Sequence, residues 1–253
     1  MKLTFLGTGT SQGVPVIGCD CEVCASTDPF DNRLRSSVLV SAGDTNILVD
    51  AGPDLRQQML RAGVRHLDGI LLTHEHNDHV IGLDDVRPFN FSTGRAMTVY
   101  ALPRVAEQVR KRFEYVFGHP IPGLPRIDLV TIDKDSPLRI GNIDILPVEV
   151  MHGHLPILGY RFGSLTYLTD VKSIPETEWR KIAGTKKLIT SALHHREHPA
   201  HMNLNEALAF AAELAAEHTW LTHISHHMGK VADVAPQLPP NVSLAHDGLE
   251  ISF

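Results

Sequence analysis

An α/β fold with a sheet-on-sheet core and helices on the outside is what this sequence predicts, and three observations carry the prediction. Strand-like segments fill both halves of the chain, helix-like segments intervene, and no internal repeat or low-complexity linker interrupts them. With 253 residues and 43% hydrophobic side chains, the chain has the length and apolar content of one large domain, read as residues 1–253.

Residues 2–6 alternate as a strand and run into the turn-rich stretch GTGTSQGVP. Residues 37–41 and 46–49 read as two strands around a Gly43-Asp44 turn. A short helix fits 53–62, with Gly63 as its stop. Residues 69–72 form an apolar run between a glycine and a histidine-rich loop, as a buried strand does. Residues 104–117 read as helix, after which the stretch HPIPGLPR leads to strands at 127–132 and 143–150. A hairpin around Gly163-Ser164 covers 160–168, and 188–191 is a strand. Residues 205–217 form the clearest amphipathic helix, rich in alanine. Trp220-Leu221, 242–245 and 249–252 complete the strands.

Charge and composition narrow the function. A net charge of −6 argues against a broad basic surface for long nucleic acid. A small phosphorylated substrate stays compatible, because bound cations bring their own positive charge. No apolar run approaches the roughly 20 residues that span a bilayer, and the N-terminus MKLTFLGTGT lacks a signal peptide's features. No membrane association and a cytoplasmic location are therefore expected. The chain has 16 His, and its 3 Cys all fall between Cys19 and Cys24. Such clustered thiols, without a signal peptide, suit metal binding better than disulfides.

The chemistry begins at Thr73-His74-Glu75-His76-Asn77-Asp78-His79. His74, His76, Asp78 and His79 can each ligate a divalent ion, and imidazoles with a carboxylate suit zinc, manganese or iron. Four ligands so close in sequence serve two ions more naturally than one: the His74/His76 pair on the first, the Asp78/His79 pair on the second. Glu75 alternates away from them and is expected to face solvent.

HEHNDH resembles the H-x-H-x-D-H signature of the metallo-β-lactamase superfamily, whose fold is an αββα sandwich. The resemblance implies further site residues, each following a predicted strand. Asp50 in LVDAG would orient the ligand loop; His152, Asp170 and His223 would complete the ligands. The implied sets are His74, His76, His152 and Asp170 on one ion, and Asp78, His79, Asp170 and His223 on the other. Two such ions would share a hydroxide as nucleophile. His154 is the rival of His152 for the third position; His152 is preferred because it directly ends its strand.

Cys19, Cys21 and Cys24, in a loop near 18–26, offer three thiolates to one ion, and zinc takes Cys₃His sets tetrahedrally. A Cys19–Cys21 disulfide would close an unfavourably tight ring. If His223 faces the paired ions, His226 can turn towards the thiols.

GTGTSQGVPVIGCDCEVC, together with LTHISHH, resembles the PhnP-type phosphodiesterases within this superfamily, which act on a phosphoribosyl cyclic phosphate. That resemblance implies a structural zinc on Cys19, Cys21, Cys24 and His226, Mn²⁺ or Zn²⁺ as the two active-site ions, and a homodimer. It places a catalytic histidine at His201 in HMNLN, acting with Asp78 and Asp50. His154, His194, His195, His198 and His227 depart from the pattern and receive no role. The expected reaction is hydrolysis of a small, cyclic-type phosphodiester. The rivals are a tRNA 3′-processing endonuclease, which needs a basic arm not found here, a thioester or lactone hydrolase, and a metal-binding protein without catalysis.

Overall fold

The computed structural model describes residues 1–118 and 122–253. Its first sheet comprises β1 (Lys2–Gly7), β2 (Ser37–Ala42), β3 (Thr45–Val49), β4 (Gly69–Leu71), β5 (Met97–Ala101) and β6 (Ile127–Thr131). Its second comprises β7 (Leu138–Ile140), β8 (Ile143–His152), β9 (Leu155–Phe162), β10 (Leu165–Leu168), β11 (Lys187–Ser191), β12 (His218–Thr222) and β13 (Val242–Leu244), and β14 (Glu250–Ser252) returns to the first beside β1. The spatial orders are β14-β1-β2-β3-β4-β5-β6 and β13-β12-β11-β10-β9-β8-β7. In each sheet antiparallel pairs give way to parallel ones, from β3 to β6 in the first and from β10 to β13 in the second.

The strands are apolar on both faces because both faces are covered. In β3, Ile47 and Val49 join the layer between the sheets, where they meet Tyr160, Phe162 and Tyr167, while Leu48 faces the outer layer. Helices α1 (Leu55–Arg61), α2 (Asn77–Val80), α3 (Arg87–Thr93), α4 (Pro103–Arg112) and α5 (Glu114–Phe117) follow the first sheet's strands, and Leu55, Met59, Phe89, Val105 and Val109 cover its outer face. Helices α6 (Trp179–Ile182), α7 (Leu204–Leu214) and α8 (Val231–Val234) belong to the second half, where Leu204, Ala207 and Phe210 cover Leu168, Leu188 and Leu221. The result is the expected αββα sandwich.

The departures from the sequence reading are local. The helix expected at 53–62 starts at Leu55, and the carboxylate of Asp54 at its N-terminus is held by Arg35 instead of capping it. The helix expected over 104–117 divides at Phe113, which leaves helical geometry (φ −112°, ψ 38°) and is buried in the outer layer. The helix expected over 205–217 begins at Leu204 under an Asn203–Glu206 capping box and stops at Leu214, because Ala215 turns left-handed (φ 54°). Strands β5 and β7 were not anticipated. Residues 119–121 of the HPIPGLPR stretch lie outside the described residues. No helix among the described residues is long and apolar enough to cross a membrane.

Candidate metal centre

Every expected metal ligand, and Asp50 behind them, stands at or beyond the C-terminal end of a strand: Asp50 after β3, the 73–79 segment after β4, His152 ending β8, Asp170 after β10 and His223 after β12; His201 lies in the loop before α7. Asp50, Asp170 and His223 adopt left-handed backbone angles, with φ of 64°, 57° and 56°. That conformation costs a residue with a Cβ about 1–2 kcal/mol, and strain of this kind collects at functional sites. Here it turns three strand ends inward.

Asp50 is fully buried and organises the first set of groups. Its Oδ1 accepts from the Thr73 backbone N–H at 2.8 Å, and its Oδ2 accepts from the Thr73 hydroxyl at 2.9 Å and from His79 Nδ1 at 2.7 Å. His79 is thereby fixed with Nε2 directed away from Asp50, the arrangement by which a carboxylate orients a metal-ligating histidine. His74 Nδ1 lies 3.0 Å from the Thr73 hydroxyl, leaving its Nε2 free and 3.0 Å from His76 Nδ1. His152 Nδ1 donates to the Ala200 carbonyl at 2.9 Å, which leaves Nε2 as its lone-pair nitrogen. Gly52 permits this packing: a Cβ there would sit 2.1 Å from the Asp78 carbonyl oxygen.

The donor atoms converge in overlapping groups: His74, His76 and His152; His74, His79 and Asp170; Asp78, His79 and His223; His152, Asp170 and His201. Asp170 lies between the sets, with Oδ1 3.0 Å from His223 Nε2 and Oδ2 3.4 Å from His79 Nε2. Despite that proximity, buried His79 Nε2, both His223 nitrogens and His201 Nδ1 make no hydrogen bond among the described residues. Buried polar atoms left without partners are costly; directed at common points, these fit divalent cations. Burial alone would lower the His79 pKa, yet Asp170, Asp50 and Asp78 hold it well above its ordinary value. Burial would likewise raise Asp170, but His223 and His79 hold it well below the usual carboxylate range. His201 is pushed down to about 3 by burial and by neighbouring His223.

A second cluster lies on the other side of the 223–227 turn. His226 Nδ1 is 3.4 Å from each of Cys19 Sγ, Cys21 Sγ and Cys24 Sγ. The S···N edge of a tetrahedral zinc site, from bond lengths near 2.3 and 2.0 Å, is about 3.5 Å. All three cysteines are free of disulfides. The Cys24 backbone amide pulls the Cys21 thiol down to about 6, whereas burial pushes Cys24 up to about 11. The donor set fits one zinc ion.

Residues 45–224 match the family model for the beta-lactamase superfamily domain. The chain belongs to the beta-lactamase superfamily. The superfamily's fold implies divalent ions such as Zn²⁺, and the His/Asp cluster is the candidate site for them. A crystal structure described as a new diphosphatase from the PhnP family is similar over 100% of this chain and 96% of its own, with 41% identity and a TM-score of 0.93. An octanoyltransferase of Porphyromonas gingivalis is 40% identical over 99% of this chain and 51% of its own length. A ribonuclease Z of a Bradyrhizobium strain is 34% identical over 64% of this chain and 50% of its own. The chain thus spans about half the length of these two curated relatives.

Within this superfamily member, His74, His76, Asp78, His79, His152, Asp170, His201 and His223 are brought together, and Asp50 backs them. His154, the rival of His152, is exposed. One expectation is overturned. Glu75 does not face solvent: it is half-buried and ion-paired with Arg104, whose Nη2 also donates to the Pro156 carbonyl at 2.7 Å. Strand alternation failed for Glu75 because β4 already ends at Leu71, so the 74–76 segment has no pleat to follow. Sequence reasoning also missed Thr73 and the Ala200 carbonyl, which hold His74, Asp50 and His152. A threonine before a ligand motif gives a faint signal; a backbone carbonyl gives none. Finally, His201 lies close enough to His152 and Asp170 to ligate an ion itself, besides the catalytic role expected of it.

Proposed function

We propose that this chain is a metal-dependent phosphodiesterase acting on a small phosphodiester, cyclic ones included, with two Mn²⁺ or Zn²⁺ ions at the His/Asp centre and one structural zinc at Cys19, Cys21, Cys24 and His226. The observation that carries the reading is the shared carboxylate of Asp170 between two sets of donors, with His201 beside both. The whole-chain similarity to a PhnP-family diphosphatase supports it. Two divalent ions in such a site supply charge stabilisation for a phosphoryl group and water ionised near neutral pH. The chain's own residues do the positioning. Asp50 and the Ala200 carbonyl fix the tautomers of His79 and His152. His201 rings lie 4.5 Å from His152 and 4.8 Å from His223, centroid to centroid, so its imidazole borders the space a phosphoryl group would fill.

Burial keeps free His201 neutral, so it can hydrogen-bond a phosphoryl oxygen without prior protonation. The negative charge of a bound diester would raise its pKa and suit it to protonate the leaving alkoxide. His201→Ala is expected to lower kcat on bis-p-nitrophenyl phosphate by about 10²–10⁴-fold while elemental analysis finds the ion content unchanged. Unaltered turnover removes His201 from the reaction. Parallel assays with bis-p-nitrophenyl phosphate and an octanoyl thioester test the reaction class: thioester cleavage alone would replace the phosphodiester reading with the carbon-ester one.

Elemental analysis is expected to find about three ions per chain, from the ligand sets. Cys19→Ser should lose one zinc selectively and keep the other two ions; loss of none would detach the thiols from metal binding. A second reading, a diester containing a diphosphate linkage, is favoured by the description of the 41% identical structure as a diphosphatase. On the PhnP-type resemblance, we also propose that the chain works as a homodimer.

A further inference from the structure

Three imidazoles of the centre have a partner behind them: Thr73 stands by His74, Asp50 by His79 and the Ala200 carbonyl by His152. His76 differs. It is exposed, and among the described residues its ring nitrogens meet no hydrogen-bond partner other than His74. What fixes its place must therefore act through the chain beside it, where its neighbour is Glu75.

Strand β9 holds the ligand segment by successive bonds. The Tyr160 hydroxyl donates to the Leu72 carbonyl at 2.6 Å, and the Leu158 N–H donates to the Thr73 carbonyl at 3.0 Å. Two residues back along β9 stands Pro156, which has no N–H to give, so a backbone amide cannot continue the series. Arg104 takes over at that point. Its Nη1 donates to Glu75 Oε1, and its Nη2 donates to the Pro156 carbonyl at 2.7 Å. Pro156 lies opposite Met151 across the β8–β9 hairpin, and the next pair in register is His152 with Leu155. One anchor thus sits between His74 and His76, and the other beside the turn that carries His152. The donor atoms of these three histidines converge as one group.

Arg104 is itself well seated, on the first turn of α4, whose Val105, Ala106 and Val109 are buried. Among the described residues it is the one cationic partner of Glu75, whose Oε2 is buried without a hydrogen bond. A planar guanidinium reaches two acceptors at a fixed spacing, which the point charge of an ammonium does not.

We propose that Arg104 is a positioning residue of the metal centre: by bridging Glu75 and the Pro156 carbonyl it sets the spacing of His76 from His152. The proposal rests on that part of the proposed function that puts two ions at the His/Asp centre, and not on which bond is cleaved. It predicts unequal damage. The ion held by His74, His76 and His152 depends on Arg104, whereas the ion on Asp78, His79 and His223 does not.

Mn²⁺ is the probe, because thiolates select softer ions and the cysteine cluster stays out of the count. It is titrated into protein whose His/Asp centre has been emptied by chelator, and the paramagnetic resonance of free Mn²⁺ counts the ions taken up. Arg104→Ala is expected to weaken one of two ions by at least about tenfold, the effect of losing one hydrogen bond to a charged group. The other ion should stay within about threefold of wild type. Glu75→Gln should weaken the same single ion, and it carries the test if Arg104→Ala does not fold. The double variant should bind no more weakly than Arg104→Ala alone, because both changes break one bridge. Arg104→Lys, which keeps the charge but not the fork, should recover only part of the loss.

Equal weakening of both ions would mark a general loss of structure and overturn the positioning role. Unchanged uptake in Arg104→Ala would do the same, as would full recovery in Arg104→Lys, since charge alone would then suffice. Wild-type protein that takes up no Mn²⁺ would count against the metal centre itself, whereas two ions indifferent to Arg104→Ala would remove only the bridge.

Discussion

Asp170→Asn is expected to reduce kcat/KM on bis-p-nitrophenyl phosphate by at least about 10³-fold and to strip ions from the His/Asp centre. Asp170 is the carboxylate that reaches towards both donor sets, standing 3.0 Å from His223 Nε2 and 3.4 Å from His79 Nε2, and it also groups with His74, His152 and His201. Losing its charge therefore weakens two coordination sets at once. Charge stabilisation by bound ions is worth several kcal/mol in the transition state, and each 1.36 kcal/mol is about a factor of ten in rate. Asparagine is the cleaner substitution because φ is 57° at this position. Asn tolerates that left-handed conformation better than Ala does, so lost activity reports the missing charge and not a reshaped turn. The measurement is paired: kinetics beside elemental analysis of the same preparation. A variant that kept both ions and near-normal turnover would eliminate the shared-carboxylate geometry as the basis of function.

How much of this centre was legible in the sequence depends on how local each signal is. His74, His76, Asp78 and His79 were readable from six consecutive residues, because a short ligand-dense loop has few other uses. Asp50, His152, Asp170 and His223 were readable only through family resemblance, since each is a single polar residue after an apolar strand. Their common physical trait, a strand end turned inward with positive φ at Asp50, Asp170 and His223, exists only in three dimensions. Long-range partners gave still less warning. Arg104 meets Glu75 across 29 positions of sequence, and Ala200 meets His152 across 48. The fold itself was legible wherever strands are buried on both faces and read as apolar runs. β5 (MTVYA) does alternate, with Met97, Val99 and Ala101 buried, but its five residues carry a weak signal; β7, of three residues, carries almost none. The histidines of the 194–201 loop were visible as composition, but the backbone amides of Arg196 and Ala200 that donate to His194 and His198 were not.

Removal of divalent ions is expected to lower the melting temperature by about 10 °C at pH 8. His74, His79, Asp170 and His223 are at most 2% exposed, so the ions that satisfy them bind the folded chain far better than the unfolded one. A ligand at a thousand times its dissociation constant stabilises by about 4 kcal/mol. For a chain of this size each kcal/mol moves the melting temperature by about 2–4 °C. The pH dependence has a definite sign, because ligating histidines must be deprotonated and an ordinary histidine titrates near 6.5. Acidification from pH 8 towards 5.5 therefore weakens ion binding, and the difference between melts with and without chelator should shrink. Cys19→Ser separates the two clusters. If the thiol site supplied the whole effect, the variant would melt low from the start and be indifferent to chelator; retention of most of the shift assigns it to the buried carboxylates and imidazoles. Identical wild-type melts with and without chelator would mean that the orphaned nitrogens of His79 and His223 are satisfied by something other than a cation. The metal centre could not then be what holds these strand ends together.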